Sequence, residues 1–304
     1  MTERAIVRRA EAKDLTGASR CHAAAFNALN RHHGYPDQQY PVSAINPYFR
    51  FALTDRSTGF WVTEVDGEVW GLGIASVFDD VWFLSHLFVD PAAQGCGLGR
   101  RLLEQTMDDD RLPRAENRAL VTMAYNHVSL GLYARYGLQP RSMIYRVEAD
   151  SRSISVPRLK SRTLEAAAEG RSSLASVLRS VDRQSLSLDR PWHHRFLLSC
   201  SNARCLLLRR GDEVTGYVYV WDDGRIGPAA ARSEPEFHEL FSAGVIEANR
   251  QSVGRVSTFA SSDSGKTLDL ILQSGMHITL PFVLLSTKAL RPVRNYMFHS
   301  PGLL

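Results

Sequence analysis

The sequence predicts an α/β protein built as two halves of like element order. Three observations carry this reading. Strand-like runs alternate with segments whose apolar residues recur at helical spacing along a chain of 304 residues, a length that suggests about two domains. One strand-like run ends at Pro91 and passes through a glycine-rich turn into a helix. Short segments also recur in nearly one register: Val89-Asp90-Pro91-Ala92-Ala93 resembles Ile226-Gly227-Pro228-Ala229-Ala230, and Tyr136-Gly137-Leu138 resembles Ser274-Gly275-Met276.

In the first half, residues 6–9 read as a short strand. Asp14 can cap a helix to about Asn30, with Leu15, Ala18, Cys21, His22, Ala25 and Phe26 on one face. Residues 30–41 are polar and read as a loop, and 42–53 as a second helix. Strands at 60–65 and 68–77 form a hairpin around Asp66-Gly67, a strong turn signal. The run 81–89 is the next strand and 97–107 the helix after the glycine turn. A strand at 119–124, a helix at 128–136 stopped by Gly137, and a strand at 142–147 complete the half.

The polar, serine-containing stretch 150–155 marks the predicted boundary, giving domains at 1–149 and 150–304. Beyond it the order repeats. Residues 163–180 and 190–200 read as helices, 205–209 and 214–220 as a hairpin around Gly211-Asp212, and 225–229 as a strand. A helix at 234–250, a strand at 255–260, a helix at 266–274 ended by Gly275 and a strand at 278–287 follow.

The turn after Pro91 carries the functional signal. Gly95, Gly97 and Gly99 remove side chains where a ligand could approach the backbone. A helix opening there presents unpaired N–H groups and partial positive charge, and Arg100 and Arg101 add full charges, so the site suits a phosphate. A Rossmann fingerprint would need glycine at position 100, and a P-loop would need Gly-Lys-Ser/Thr; neither is present here. A tight turn with no ligand is the other reading. The pattern that fits is Gln/Arg-x-x-Gly-x-Gly/Ala, met by Gln94, Gly97 and Gly99 after Val-Asp-Pro.

This pattern resembles the acyl-CoA loop of the GNAT (GCN5-related) N-acetyltransferases, and the element order of residues 4–148 is that of their fold. The resemblance implies two GNAT-like domains in tandem, each with a mixed, mostly antiparallel central sheet flanked by helices. It implies acetyl-CoA as cofactor, with the pyrophosphate of coenzyme A on the amides of Gln94, Gly95, Cys96, Gly97, Leu98, Gly99 and Arg100. The end of the central strand, Leu87, Phe88 and Val89, then holds the thioester carbonyl by a backbone N–H. Tyr133, in Leu132-Tyr133-Ala134-Arg135-Tyr136-Gly137-Leu138, matches the family's proton donor to the leaving thiolate; packing is its alternative use. Asn126 matches a residue that touches the pantetheine arm, and it can also cap the following helix.

The implied activity is N-acetyl transfer from acetyl-CoA to a primary amine by direct attack in a ternary complex. A non-catalytic acyl-CoA-binding or regulatory module is the alternative. His86 is the nearest titratable candidate for the base, set against a structural role; Glu64, His32 and His33 are weaker candidates. His32, His33, Tyr35, Asp37 and Tyr40 in the loop after the first helix suit a small amine or amino-acid-like acceptor. In the second half Ala231, Glu234 and Glu236 fall where Gln94, Gly97 and Gly99 stand, so one acetyl-CoA per chain is expected. Ser264-Gly265-Lys266-Thr267 lacks the first glycine of a P-loop and reads as a helix start.

Composition bounds the rest. The chain is 44% apolar with a net charge of +4, which supports a packed core and gives no basic face for nucleic acid. Cys21, Cys96, Cys200 and Cys205 form no Cys-x-x-Cys pair, and no His-Glu-x-x-His occurs, so no metal is expected. The N-terminal residues are charged, and no run approaches the ~18 apolar residues of a membrane span. The expectation is a reduced, cytoplasmic protein without a membrane partner, monomeric or homodimeric.

Overall fold

A computed structural model describes residues 4–37, 45–156, 164–166, 171–251, 253–291 and 293–303. Its elements run in the order β1 (Ile6–Arg9), α1 (Leu15–His32), α2 (Pro47–Thr54), β2 (Thr58–Val65), β3 (Glu68–Phe78), β4 (Val81–Val89), α3 (Leu98–Met107), β5 (Asn117–Met123), α4 (His127–Ala134) and β6 (Gln139–Asp150). There follow β7 (Leu164–Ala166), α5 (Arg171–Ser185), α6 (Pro191–Ser199), β8 (Ala203–Arg210), β9 (Glu213–Trp221), β10 (Ile226–Ala231), α7 (Glu234–Arg250), β11 (Arg255–Ser261), α8 (Gly265–Gln273), β12 (His277–Ser286) and β13 (Tyr296–Met297).

The chain divides into two compact units, 1–120 with 125–138, and 121–124 with 139–304. In the first, β1, β2, β3 and β4 pair antiparallel in that order, and β4 pairs with β5 in parallel. α1 and α3 both pack on β3. Arg9 ties β1 to the segment just after α3, with its guanidinium on Asp109, which also accepts from the Trp61 indole at 2.8 Å. In the second unit β6 is paired on one side by β12 and on the other by β11, all antiparallel. A second sheet runs β13-β10-β9-β8-β7. Its core joins Phe237, Leu240 and Phe241 of α7 to Val218 and Val220 of β9 and Val147 of β6. α7 lies so close to β9 that a Cβ on Gly216 would stand 2.5 Å from a Leu240 methyl.

Several sequence expectations shift. The units do not divide at 149/150, because β6 runs on to Asp150 and finds both its strand partners more than a hundred residues later. The serine-containing stretch after it is a short turn, with Asp150 accepting from the Arg152 amide at 2.9 Å. The helix placed at 42–53 begins at Pro47, where Asn46 caps it by accepting from Tyr48 N–H at 2.9 Å; residues 42–44 lie outside those described. Residues 164–166 form a strand on β8 rather than the start of a helix, and α5 begins at Arg171. β10 passes through Pro228, which the ladder tolerates because the register shifts between Ile226 and Ala229.

Candidate acyl-CoA site

β4 sets the site. Its parallel pairing with β5 runs from Val81↔Asn117 to Leu84↔Leu120 and stops there. At that point β4 bulges: its partners on β3 step from Leu84↔Ala75 to His86↔Ile74, leaving Ser85 as the extra residue. The Ser85 hydroxyl donates to Ile74 O at 3.0 Å, and Tyr48 Oη stands 3.2 Å from Ser85 Oγ. From Ser85 to Val89, among the described residues of this unit, β4 is paired by β3 alone. Backbone amides that would have pointed at β5 are thereby left for another acceptor.

Asp90 then turns the chain, accepting from Ala92 N–H at 3.0 Å, and Gln94 reaches back with its Nε2 to Val89 O at 2.9 Å. Gly95 and Gly97 follow at φ +78° and +79°, the left-handed region that other residues enter at a cost. A Cβ on either would meet no atom within 4 Å, so the space above this backbone is open. Gly97 is the N-cap of α3 and has no side chain to cap with, and the first turn holds no acid. The early N–H groups of a helix have no intrahelical partner, so α3 keeps its donors for an anion. Leu98 turns its side chain into a small core with Ala5, Val65 and Ala93, which fixes the start of the helix. Arg100 is exposed beside Glu104, while Arg101 is tied to Ala5 O at 2.9 Å. The residues therefore fit a pyrophosphate: a cluster of donors, open space and no acid in the first turn of α3.

The two faces of β4 have different surroundings. Leu87 and Val89 lie on the α3 side, where Leu87 approaches Gly73 and Val89 packs near Leu98. His86 and Phe88 lie on the α1 side. The His86 ring stacks on Tyr48 at 5.2 Å and 24°, and meets His22 at 5.6 Å, Phe49 at 5.2 Å and Phe88 at 6.0 Å. Its Nδ1 is buried without a hydrogen-bond partner. Burial, and then the neighbouring His22, hold the His86 pKa well below the usual imidazole range, so the ring is neutral at neutral pH. Of the weaker candidates for the base, Glu64 is held by Arg8, whose Nε donates to it at 2.7 Å, and the rings of His32 and His33 meet at 4.8 Å; in the acceptor loop, Asp37 stands 3.5 Å from Arg31. Tyr40 lies outside the described residues.

α4 brings the remaining pair. Asn126 caps it, its Oδ1 accepting from Ser129 N–H at 3.2 Å. Tyr133 is 5% exposed; burial raises its pKa, against a smaller opposing effect of the Ser129 hydroxyl one turn earlier. The phenol is thus protonated at neutral pH. Gly137, at φ +76°, ends the helix. No sequence motif marks Tyr48, Ser85 or His22 as site residues, yet they line or brace the α1 face of β4. Only the position of Ser85 inside an apolar strand run could have flagged one of them.

The second unit differs at the corresponding place. Only Arg232 and Ser233 separate β10 from α7, and the first turn of α7 carries Glu234 and Glu236. The Ser233 hydroxyl donates to Glu236 at 2.8 Å, and Lys266 pairs with Glu234 at 2.7 Å. Ser264 and Gly265 open α8, as a helix start. Among the described residues, no group of three or more His, Cys, Asp or Glu is placed to hold a metal, and no helix is long and apolar enough to cross a membrane.

Residues 22–138 match the profile of the acetyltransferase (GNAT) family. No curated protein matches the chain. A structure from Pyrococcus horikoshii described as a candidate acetyltransferase is similar over 99% of this chain and 96% of its own, with a TM-score of 0.72 at 16% identity. A GCN5-related N-acetyltransferase from Sphaerobacter thermophilus matches 93% of this chain and 95% of its own, at TM-score 0.62 and 15% identity. A tandem GNAT protein from the clavulanic acid biosynthesis pathway matches 93% and 97%, at TM-score 0.64 and 13% identity. The profile match spans the glycine turn, and these likenesses over nearly the whole chain show the fold: two GNAT-like domains in tandem.

Proposed function

We propose that the protein is an N-acetyltransferase that moves the acetyl group of acetyl-CoA to a primary amine of a small, amino-acid-like molecule. The observation that carries this is the uncapped start of α3 behind two left-handed glycines, on the strand whose pairing stops at Leu84. The fold is one that supports acyl transfer generally.

Acetyl-CoA supplies an activated thioester. The amides of residues 94–100 bind its pyrophosphate, and a helix N-terminus stabilises such an anion without a counter-charge. A fixed N–H at Phe88 or Val89 holds the carbonyl oxygen, and its value grows as negative charge develops there. Tyr133, kept protonated by burial, gives its proton to the departing sulfur. His86, neutral and with an unpartnered Nδ1, accepts the amine proton directly or through water. One cofactor is bound per chain, because Glu234 and Glu236 occupy the matching helix start in the second unit.

The test is a panel of primary amines with acetyl-CoA, followed by release of free thiol. Amine-dependent release supports the transferase. Tight coenzyme A binding with no turnover across the panel favours an acyl-CoA-binding module, and a stoichiometry of two would reject the single site.

A further inference from the structure

The loop that follows α1 is fastened, as far as Pro36, to the turn that opens α4. The knot is Asn30, in the last turn of α1 and fully buried. Its backbone carbonyl accepts from Tyr35 N–H at 2.9 Å, and its Nδ2 donates to Pro36 O at 3.1 Å. Its Oδ1 accepts from the Tyr125 hydroxyl at 3.1 Å. The same Tyr125 carries the loop on its ring: Tyr35 stacks on it at 4.8 Å and 20°, and His33 meets it at 4.7 Å. Burial, and then the neighbouring Tyr35, push the Tyr125 pKa up to about 12, so the hydroxyl stays a donor. The next residue is Asn126, the cap of α4, and α4 carries Tyr133.

Two consecutive residues thus face two ways. Tyr125 holds the acceptor-side loop, and Asn126 holds the helix of the proton donor. We propose that Tyr125 is a positioning residue that couples the loop at residues 33–36 to the cofactor side of the site, so that coenzyme A orders the loop and an acceptor on the loop strengthens cofactor binding. The inference rests on the acyl-CoA reading of the site. The effect must run both ways, because coupling between two binding equilibria is reciprocal. It acts through Tyr125 in two separable parts, the hydroxyl on Asn30 and the ring under Tyr35.

Amide hydrogen exchange on the full chain tests this, with coenzyme A alone as the probe. The amides of Gly34 and Tyr35 donate to Arg31 O and Asn30 O, so they report the order of the loop directly. Saturating coenzyme A is expected to slow their exchange by about fivefold or more. In Tyr125→Phe, which keeps the ring, the slowing is reduced; in Tyr125→Leu, which loses both parts, it is abolished. Calorimetry reads the coenzyme A Kd of each variant, expected within about twofold of the parent, and circular dichroism confirms the fold. A purely structural Tyr125 would alter exchange equally with and without ligand. Coenzyme A that binds the parent without slowing Gly34 and Tyr35 overturns the coupling alone, as does slowing that survives in folded Tyr125→Leu. Failure of the parent to bind coenzyme A overturns the acyl-CoA reading itself.

Discussion

Tyr136 donates its hydroxyl to Glu104 at 2.7 Å, joining the residue just beyond α4 to the middle of α3. The helix of the proposed proton donor and the helix of the proposed phosphate loop are thus tied by a polar contact near the surface. A half-exposed hydrogen bond of this kind contributes at most about 1 kcal/mol. Tyr136→Phe is expected to lower the urea midpoint by that modest amount and to leave turnover nearly unchanged. A large loss of turnover would mean that this contact sets the placement of α4.

Tyr133 lies one turn earlier and has a different expected signature. Its phenol is buried and protonated, and the proposed role is felt only as the sulfur departs. Tyr133→Phe is expected to lower kcat by about a hundredfold or more, the scale of a positioned acid, with little change in coenzyme A affinity. Isothermal calorimetry beside steady-state kinetics separates the two. If kcat is retained, the phenol serves packing alone.

Gly97 is expected to be sensitive for two reasons. At φ +79° an alanine costs about 1–2 kcal/mol of backbone strain. Its Cβ would also stand in space that no protein atom fills, where the proposed pyrophosphate lies. Gly97→Ala should therefore lower the melting temperature and weaken coenzyme A more than it weakens a fragment without phosphates, such as acetylated cysteamine. Equal loss for both ligands would remove the phosphate from this position.

The first unit was legible in the sequence because its signals are local. Pro91, the glycine turn and the leucine spacing of α3 lie within one short stretch, and α3 starts one residue after the reading placed it. The geometry of His86 was also readable, since strand alternation alone puts it opposite Leu87 and Val89. What faces it was not: Tyr48, Phe49 and His22 come from helices elsewhere in the chain. The compact units divide elsewhere than at 149/150 for the same reason. A polar turn is a local signal, whereas the partners of β6 are chosen by pairing across more than a hundred residues. β7 was missed because three residues carry too little pattern to outweigh the helical periodicity beyond them.

Acid should weaken the fold before any carboxylate titrates. His22, His86, His193 and His299 are all held below the usual imidazole pKa, burial being the largest cause in each; His22 falls to about 4. Both ring nitrogens of His193 and Nε2 of His299 are buried without hydrogen-bond partners. For each group the folded pKa is below the unfolded value of about 6.5, so between the two the unfolded chain binds the extra proton. Stability is then complete above about pH 6.5 and falls as the pH drops, by up to about 1.4 kcal/mol per pH unit for each imidazole. Urea midpoints measured from about pH 7.5 down to 4.5 are expected to fall steadily. A flat profile would mean that protonating these rings costs nothing in the folded state, as when ordered water accepts a hydrogen bond from the charged ring.

A second acid transition is expected from Asp182, which is fully buried in the second unit. Burial pushes its pKa up, but Arg190, His194 and Tyr217 together outweigh burial and bring it to about 2. Its Oδ2 accepts from Arg190 Nη2 at 2.7 Å and its Oδ1 from the Tyr217 hydroxyl at 2.6 Å. The folded pKa lies below the unfolded value of about 3.9, so the contribution is present above that pH and lost as the pH falls through about 2. Arg190 is itself fully buried, and its Nη1 donates to the Tyr296 hydroxyl at 2.9 Å. Removing the carboxylate leaves that guanidinium without a counter-charge, so Asp182→Ala is expected to cost about 3–5 kcal/mol. Replacing both members, as Asp182→Leu with Arg190→Met, removes the stranded charge and should recover much of the loss. Calorimetric melting of the three variants decides the matter: a double variant no better than Asp182→Ala would show that the tyrosines and His194, rather than the ion pair, hold α5 and α6 in place.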